Sequence, residues 1–247
     1  MLADTWSFLL DGGNWSGPQG MGAYLVQQLL LTVTAVCAAA VVGLPVASWL
    51  GHIGRGGALA INISNVGRAV PTFAVLGILS LGPLGIDELW LYGRAGLATL
   101  VSLLLFALPP IVTNTYVGLR EVDRDIVDAA RGMGMRGPQL FRRVELPLAL
   151  PLIVTGLRLA VVQVWATATI AALVAGPGLG NVVTEGFATS DTAQVIGGAL
   201  VIALVAVVLE VAMAVAERAA APIPGGAAGR APRPETPSAT AEPVQPA

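Results

Sequence analysis

Residues 120–147 read REVDRDIVDAARGMGMRGPQLFRRVELP, and this stretch decides how the rest of the chain is read. Eleven of its 28 residues are charged, while the whole chain is 11% charged and 55% hydrophobic, with a mean hydropathy of +0.77. A soluble domain carries about 25% charged residues, so the charge here is concentrated between apolar blocks. Working outward, those blocks are 95–119, 58–81 and 24–50 on the N-terminal side, and 148–175 and 195–216 on the other. Each can cross a bilayer, which takes about 20 apolar residues and roughly 30 Å of helix. Arg68 and Pro71 interrupt the second block. The reading is an all-α polytopic membrane protein with about five transmembrane helices.

Arginine placement orients the five spans. Arg55, the six arginines of 120–147, Arg218, Arg230 and Arg233 fall on one side, and Arg94 alone on the other. Cytoplasmic loops carry the excess of basic residues, so the N-terminus is expected outside and the C-terminus in the cytoplasm. The expected divisions are an extracytoplasmic, loop-like segment 1–20, a membrane domain 21–216 and a cytoplasmic tail 217–247. The tail is rich in Pro, Ala and Gly with few large apolar groups, so it is expected to be disordered and dispensable.

Several chemistries are excluded. Cys37 is the only cysteine, so no intramolecular disulfide forms. His52 is the only histidine and is read as an interfacial loop residue without companions for a transition-metal site. All thirteen basic residues are arginine, which removes the Lys that a phosphate-binding Gly-Lys-Ser/Thr loop requires. Gly132, Gly134 and Gly137 satisfy G-x-G-x-x-G, but they follow a helix rather than a strand, with no acidic residue about 20 positions on. No cofactor is therefore expected in this chain, and no nucleic-acid partner.

Within 120–147, Asp123 is placed to cap a helix on which Ile126, Val127 and Ala130 share a face. Ala129 and Ala130 are small enough for another surface to approach the backbone, and Gly132 and Gly134 stop the helix. Gly137-Pro138 starts a second short helix, with Pro at a position where its missing N–H costs nothing. Leu140, Phe141 and Val144 give it an apolar face, and Leu140 and Phe141 are read as anchors that would otherwise meet water. Pro147 and Pro151 mark the start of the fourth span. Neither short helix is stable alone, so the loop reads as a docking element.

On these residues the chain resembles the permeases of binding-protein-dependent ABC importers, whose signature is Glu-Ala-Ala, three residues, Gly, nine residues, Ile-x-Leu-Pro. Here it is Asp128-Ala129-Ala130, three residues, Gly134, nine residues, Val144-Glu145-Leu146-Pro147. Every spacing matches, with Asp for Glu and Val for Ile. The resemblance covers about residues 20–216. It implies the type I importer permease fold, a bacterial cytoplasmic membrane location and a coupling helix seated in an ATPase subunit. Asp128, Ala129, Ala130, Gly134, Leu140, Phe141, Val144, Leu146 and Pro147 would be the coupling residues, and ATP-Mg would be held by that partner. A second permease copy or sibling and an extracytoplasmic substrate-binding protein are implied as well.

Four further stretches resemble the osmoprotectant branch, which handles glycine betaine, choline, carnitine or proline betaine. They are Gly67 to Phe73 (with Arg68 and Pro71), Leu108 to Tyr116 (with Asn114), Ala129 to Met135, and Gly176-Pro177-Gly178-Leu179-Gly180. Methionine and sulfonate importers share parts of this pattern. Quaternary ammonium groups are recognised by aromatic cages, and this chain is only 5% aromatic, which fits capture of the substrate by a separate protein. Arg68, Arg158 and Glu210 lie within spans, either paired or snorkelling, or lining the translocation path. Trp165, deep in the fourth span, either packs or lines that path. Gly176, Gly178 and Gly180 form either a tight external turn or part of an outer gate. A rival class, an ion-coupled secondary transporter, would usually show an internal repeat, and none is seen.

Overall fold

A run of 33 residues without a charged side chain has no reason to break inside a bilayer. Met21–Ile53 accordingly forms one helix, about 50 Å long at 1.5 Å per residue. The computed structural model describes residues 2–54, 56, 62, 70–86, 92–93 and 95–220, and its elements are helices. In chain order they are α1 (Leu2–Leu10), α2 (Gly12–Trp15), α3 (Met21–Ile53), α4 (Thr72–Leu81), α5 (Gly96–Arg120), α6 (Arg124–Gly132), α7 (Gly137–Leu140), α8 (Leu146–Ile170), α9 (Gly180–Thr189) and α10 (Thr192–Ala220). Among the described residues, four helices are long and apolar enough to cross a membrane: α3, α5, α10, and the run Gly137–Val174 that contains α7 and α8. The span expected over 58–81 is represented by α4, its described part. Arg68 and Arg94 lie outside the described residues, as does 221–247.

Three helices build the core. Leu31, Ala35 and Ala39 of α3, Leu103, Ala107 and Ile111 of α5, and Ala160, Val164 and Ala168 of α8 are buried against one another. Small side chains dominate these contacts, as packing between helices in lipid favours. At Gly156 of α8 an added Cβ would lie 2.9 Å from the Pro110 carbonyl oxygen of α5. Pro110 has no N–H for the Phe106 carbonyl one turn earlier. The Gln163 Nε2 of α8 donates to that oxygen at 3.4 Å, so a neighbouring helix repairs the backbone that the proline interrupts. The α10 surface is apolar and open, with Leu200, Leu204, Val207 and Val211 exposed.

Five sequence expectations are corrected. Residues 1–20 are not loop-like: α1 packs Phe8 and Leu9 against α10 and the apolar cluster around Met21 and Trp165. Its last carbonyls, which a helix end leaves unpaired, are met by Asn14 Nδ2 to Phe8 O and Trp15 Nε1 to Leu9 O, at 2.9 and 2.8 Å. His52 lies in the last helical turn of α3, which ends at Gly54 in the left-handed region (φ 69°). The second loop helix and the fourth span are one body, because α7 runs through a π-helical turn, Phe141–Glu145, directly into α8. The connector 176–194 contains the helix α9. Residues 217–220, expected to open the tail, are the last turn of α10, which is helical to Ala220.

Candidate functional site

The charged loop folds as its capping residues dictate. The Asp123 carboxylate accepts from Asp125 N at 3.0 Å at the start of α6. At the other end Gly134 (φ 81°) adopts the left-handed conformation that closes a helix. Gly134 N donates to Arg131 O at 2.9 Å, and Met135 N to Ala130 O at 3.2 Å. The chain then turns into α7, where the Gln139 side chain accepts from Arg136 N at 3.1 Å.

This geometry sorts the signature residues into two sets. Val127, Ala130 and Leu140 face inward, packed with Leu119, Val122, Ala149 and Ile153. Asp128, Ala129 and Gly134 are exposed, as is Pro147, while Phe141, Val144 and Leu146 are half-buried. The anchor reading is thereby corrected. Leu140 is 1% exposed and is a core residue of this end, whereas Ile126, read as sharing a face with Val127 and Ala130, is 46% exposed while those two are buried. Met133, at the tip, is 74% exposed. The outward surface of α6 is therefore Ile126, Ala129 and Met133, flanked by Arg124, Asp128 and Arg131. The Asp128–Arg131 pair on it is a solvated contact at 3.5 Å, of little energetic weight.

At the other end of α8, Gly176, Gly178 and Gly180 are all buried. Gly178 (φ 120°) leaves no room for a side chain, since an added Cβ would lie 2.9 Å from Gln28 Oε1. Gln28 is itself fully buried on α3. Its Oε1 accepts from Leu179 N at 2.8 Å, and its Nε2 donates to Trp165 O at 3.2 Å and Thr169 Oγ1 at 3.1 Å. Asn181 Nδ2 donates to the carbonyls of Gly176 and Gly178, each at 2.9 Å. The turn is thus clamped to the first long helix, with its backbone packed closely rather than merely turning outside. Trp165 is 1% exposed and donates Nε1 to Ile202 O of α10 at 3.1 Å.

Among the described residues, Arg158 and Glu210, the charges read as lying within spans, are paired. Arg158 Nε donates to Glu210 Oε1 at 2.9 Å, its Nη2 to the same oxygen, and its Nη1 to Glu217 Oε2 at 2.6 Å. Thr155 Oγ1 donates to Glu217 Oε1 at 2.5 Å. Asn114 donates to Pro110 O of its own helix at 2.8 Å and packs where α5 crosses Gly156 of α8. Pro71 stands at the N-terminal boundary of α4. The candidate path residues therefore form separate groups: Trp165 with the glycine turn through Gln28, and Arg158 with Glu210 and Glu217.

Residues 23–222 match the family described as binding-protein-dependent transport system inner membrane component. The chain belongs to that family. It is 34% identical over 207 residues to the glycine betaine/carnitine/choline transport system permease protein OpuCD of Bacillus subtilis (strain 168), covering 82% of this chain and 86% of that one. It is 31% identical over 217 residues to the osmoprotectant import permease protein OsmW of Salmonella typhimurium, covering 84% and 92%. Among solved structures, an inward-facing MetNI methionine ABC transporter superposes with a TM-score of 0.68 at 22% identity, covering 82% of this permease and 96% of that chain. This structural likeness carries the fold. The permease is thus a multi-pass membrane protein with the fold of importer permeases.

Four residues of this permease escaped sequence reasoning. Gln28 and Gln163 are amides in apolar runs, and that polarity was the available signal. Glu217 was placed beyond the last span, and Glu145 occupied the unspecified position of the signature. Their partners lie 137, 57, 59 and 93 positions away.

Proposed function

We propose that this permease forms, with a second copy or a sibling permease, the translocation path for a small osmoprotectant such as glycine betaine, choline, carnitine or proline betaine. The driving force is ATP-Mg hydrolysed on a separate ATPase subunit, and an extracytoplasmic binding protein delivers the substrate. The observation that carries the coupling role is the outward face of α6, where the apolar Ile126, Ala129 and Met133 remain uncovered while Val127 and Ala130 of the same helix are packed with Leu119, Leu140 and Ile153. The substrate class is supported by the relatives named for glycine betaine, carnitine, choline and osmoprotectants. Coupling needs contacts that differ between two states, and α6 with the continuous α7–α8 run supplies a stiff lever from such contacts into the membrane.

The N-terminus lies outside and the C-terminus in the cytoplasm, which places α6 on the ATPase side. With Cys37 replaced, cysteines at Ser16 and Thr236 will label from opposite faces; labelling from one face contradicts this orientation. The substrate is tested by deleting the gene and measuring uptake of radiolabelled betaine, choline and carnitine in high salt. Loss of uptake is expected. Unchanged uptake of all three, with loss of methionine or sulfonate uptake, would reassign the substrate.

A further inference from the structure

Glu145 closes the π-helical turn, and its side chain is 8% exposed. Its Oε2 lies 2.5 Å from Nδ1 of His52, in the last turn of α3. A carboxylate oxygen accepts and an imidazole N–H donates, so the two groups are complementary with Nδ1 as the donor. The same ring packs edge-on against Phe141, with centroids 5.4 Å apart and planes at 69°. Its Nε2 is 3.7 Å from where a Cβ on Gly137 would sit. Gly137, Phe141 and Glu145 are four residues apart, so one face of the α7–π–α8 run receives the end of α3. The π turn matters here, because removing its extra residue would rotate α8 by about 100° relative to α7.

The two long helices meet the coupling element differently. α8 is its covalent continuation. α3 reaches it through Leu44, which packs on the inward cluster of Leu119, Val127 and Leu140, and through His52. An apolar contact can slide. A buried carboxylate is costly to leave without its partner, so the polar bond fixes distance and angle.

We infer that the His52–Glu145 pair is the joint that makes α3 follow the coupling element, so that α3 and α8 move as one body. This rests on the coupling role assigned above to α6. Both residues are positioning residues; neither touches substrate or nucleotide.

The test uses the full transporter in proteoliposomes with its ATPase and binding protein. The readouts are co-purified ATPase, ATP hydrolysis, and substrate moved per ATP. His52→Ala and Glu145→Ala will each leave co-purification unchanged and lower substrate per ATP about fivefold or more. The double variant will be no worse than the more severe single one. Glu145→Gln, which keeps an acceptor for Nδ1, will recover the ratio to within about twofold. If Glu145→Ala fails to insert, His52→Ala against Glu145→Gln reads the same ratio. An unchanged ratio, or single effects that add in the double variant, overturns the joint. A purely structural role would lower yield and all rates together at constant ratio, and that also overturns it. Failure of the underlying coupling role is separable, because Ile126→Arg would then leave ATPase co-purification intact.

Discussion

Gly134 and Gly178 occupy turns on either side of the Gly137–Val174 run, and both have positive φ, 81° and 120°. The resemblance ends there. A Cβ added at Gly134 would meet nothing within 4 Å, whereas at Gly178 it would lie 2.9 Å from Gln28 Oε1 and 3.2 Å from Gln28 Cβ. One turn is open and the other is filled by its own chain. Backbone freedom requires glycine at both; only the second also requires it for space. The open turn lies beside the exposed face of α6 proposed above to dock the ATPase, and the filled one lies in an internal contact between α3 and the segment after α8.

That contrast can be broken by substitution, starting with the largest effect. At Gly180 an added Cβ would lie 2.0 Å from Thr169 O, so Gly180→Ala will lose about 3 kcal/mol or more of stability, read as a lowered Tm in detergent. Leu140→Ala will cost about 3 kcal/mol through the cavity it leaves among Leu119, Val127 and Ile153, although the residue lies within the coupling signature. Gln28→Leu orphans the buried Leu179 N–H, whose acceptor is Gln28 Oε1, and will cost about 2 kcal/mol. Ile126→Arg will change stability by less than about 0.5 kcal/mol, yet abolish ATPase co-purification. If Ile126→Arg unfolded the permease, or Gly180→Ala left its Tm unchanged, the division between open and filled ends would fail.

Much of this division was legible in the sequence. Asp123 as a cap, Gly134 as a stop and the spacing from Asp128 to Pro147 are local features, and the local structure obeys them. The long spans came from apolar run length. The orientation of side chains within the loop was less accessible. Ile126 and Val127 are adjacent and equally apolar, and only the tertiary neighbours Leu119 and Ile153 decide that Val127 turns inward. The helix α1 was missed because its polar surroundings masked Leu2, Trp6, Phe8 and Leu9; the packing of Phe8 and Leu9 depends on α10. Gln163 could not have been paired with Phe106 from sequence, since that bond requires α5 and α8 to cross beside Pro110.

The central claim is that an ATPase docked on α6 drives transport through this permease. Its most direct test is uptake of radiolabelled betaine, choline or carnitine into proteoliposomes holding the permease, its ATPase and its binding protein. Uptake will stop when ATP is withheld, persist when ionophores collapse every ion gradient, and be lost in Ile126→Arg with the protein still folded. Uptake that continues without ATP or ATPase and disappears with the ion gradient would contradict it.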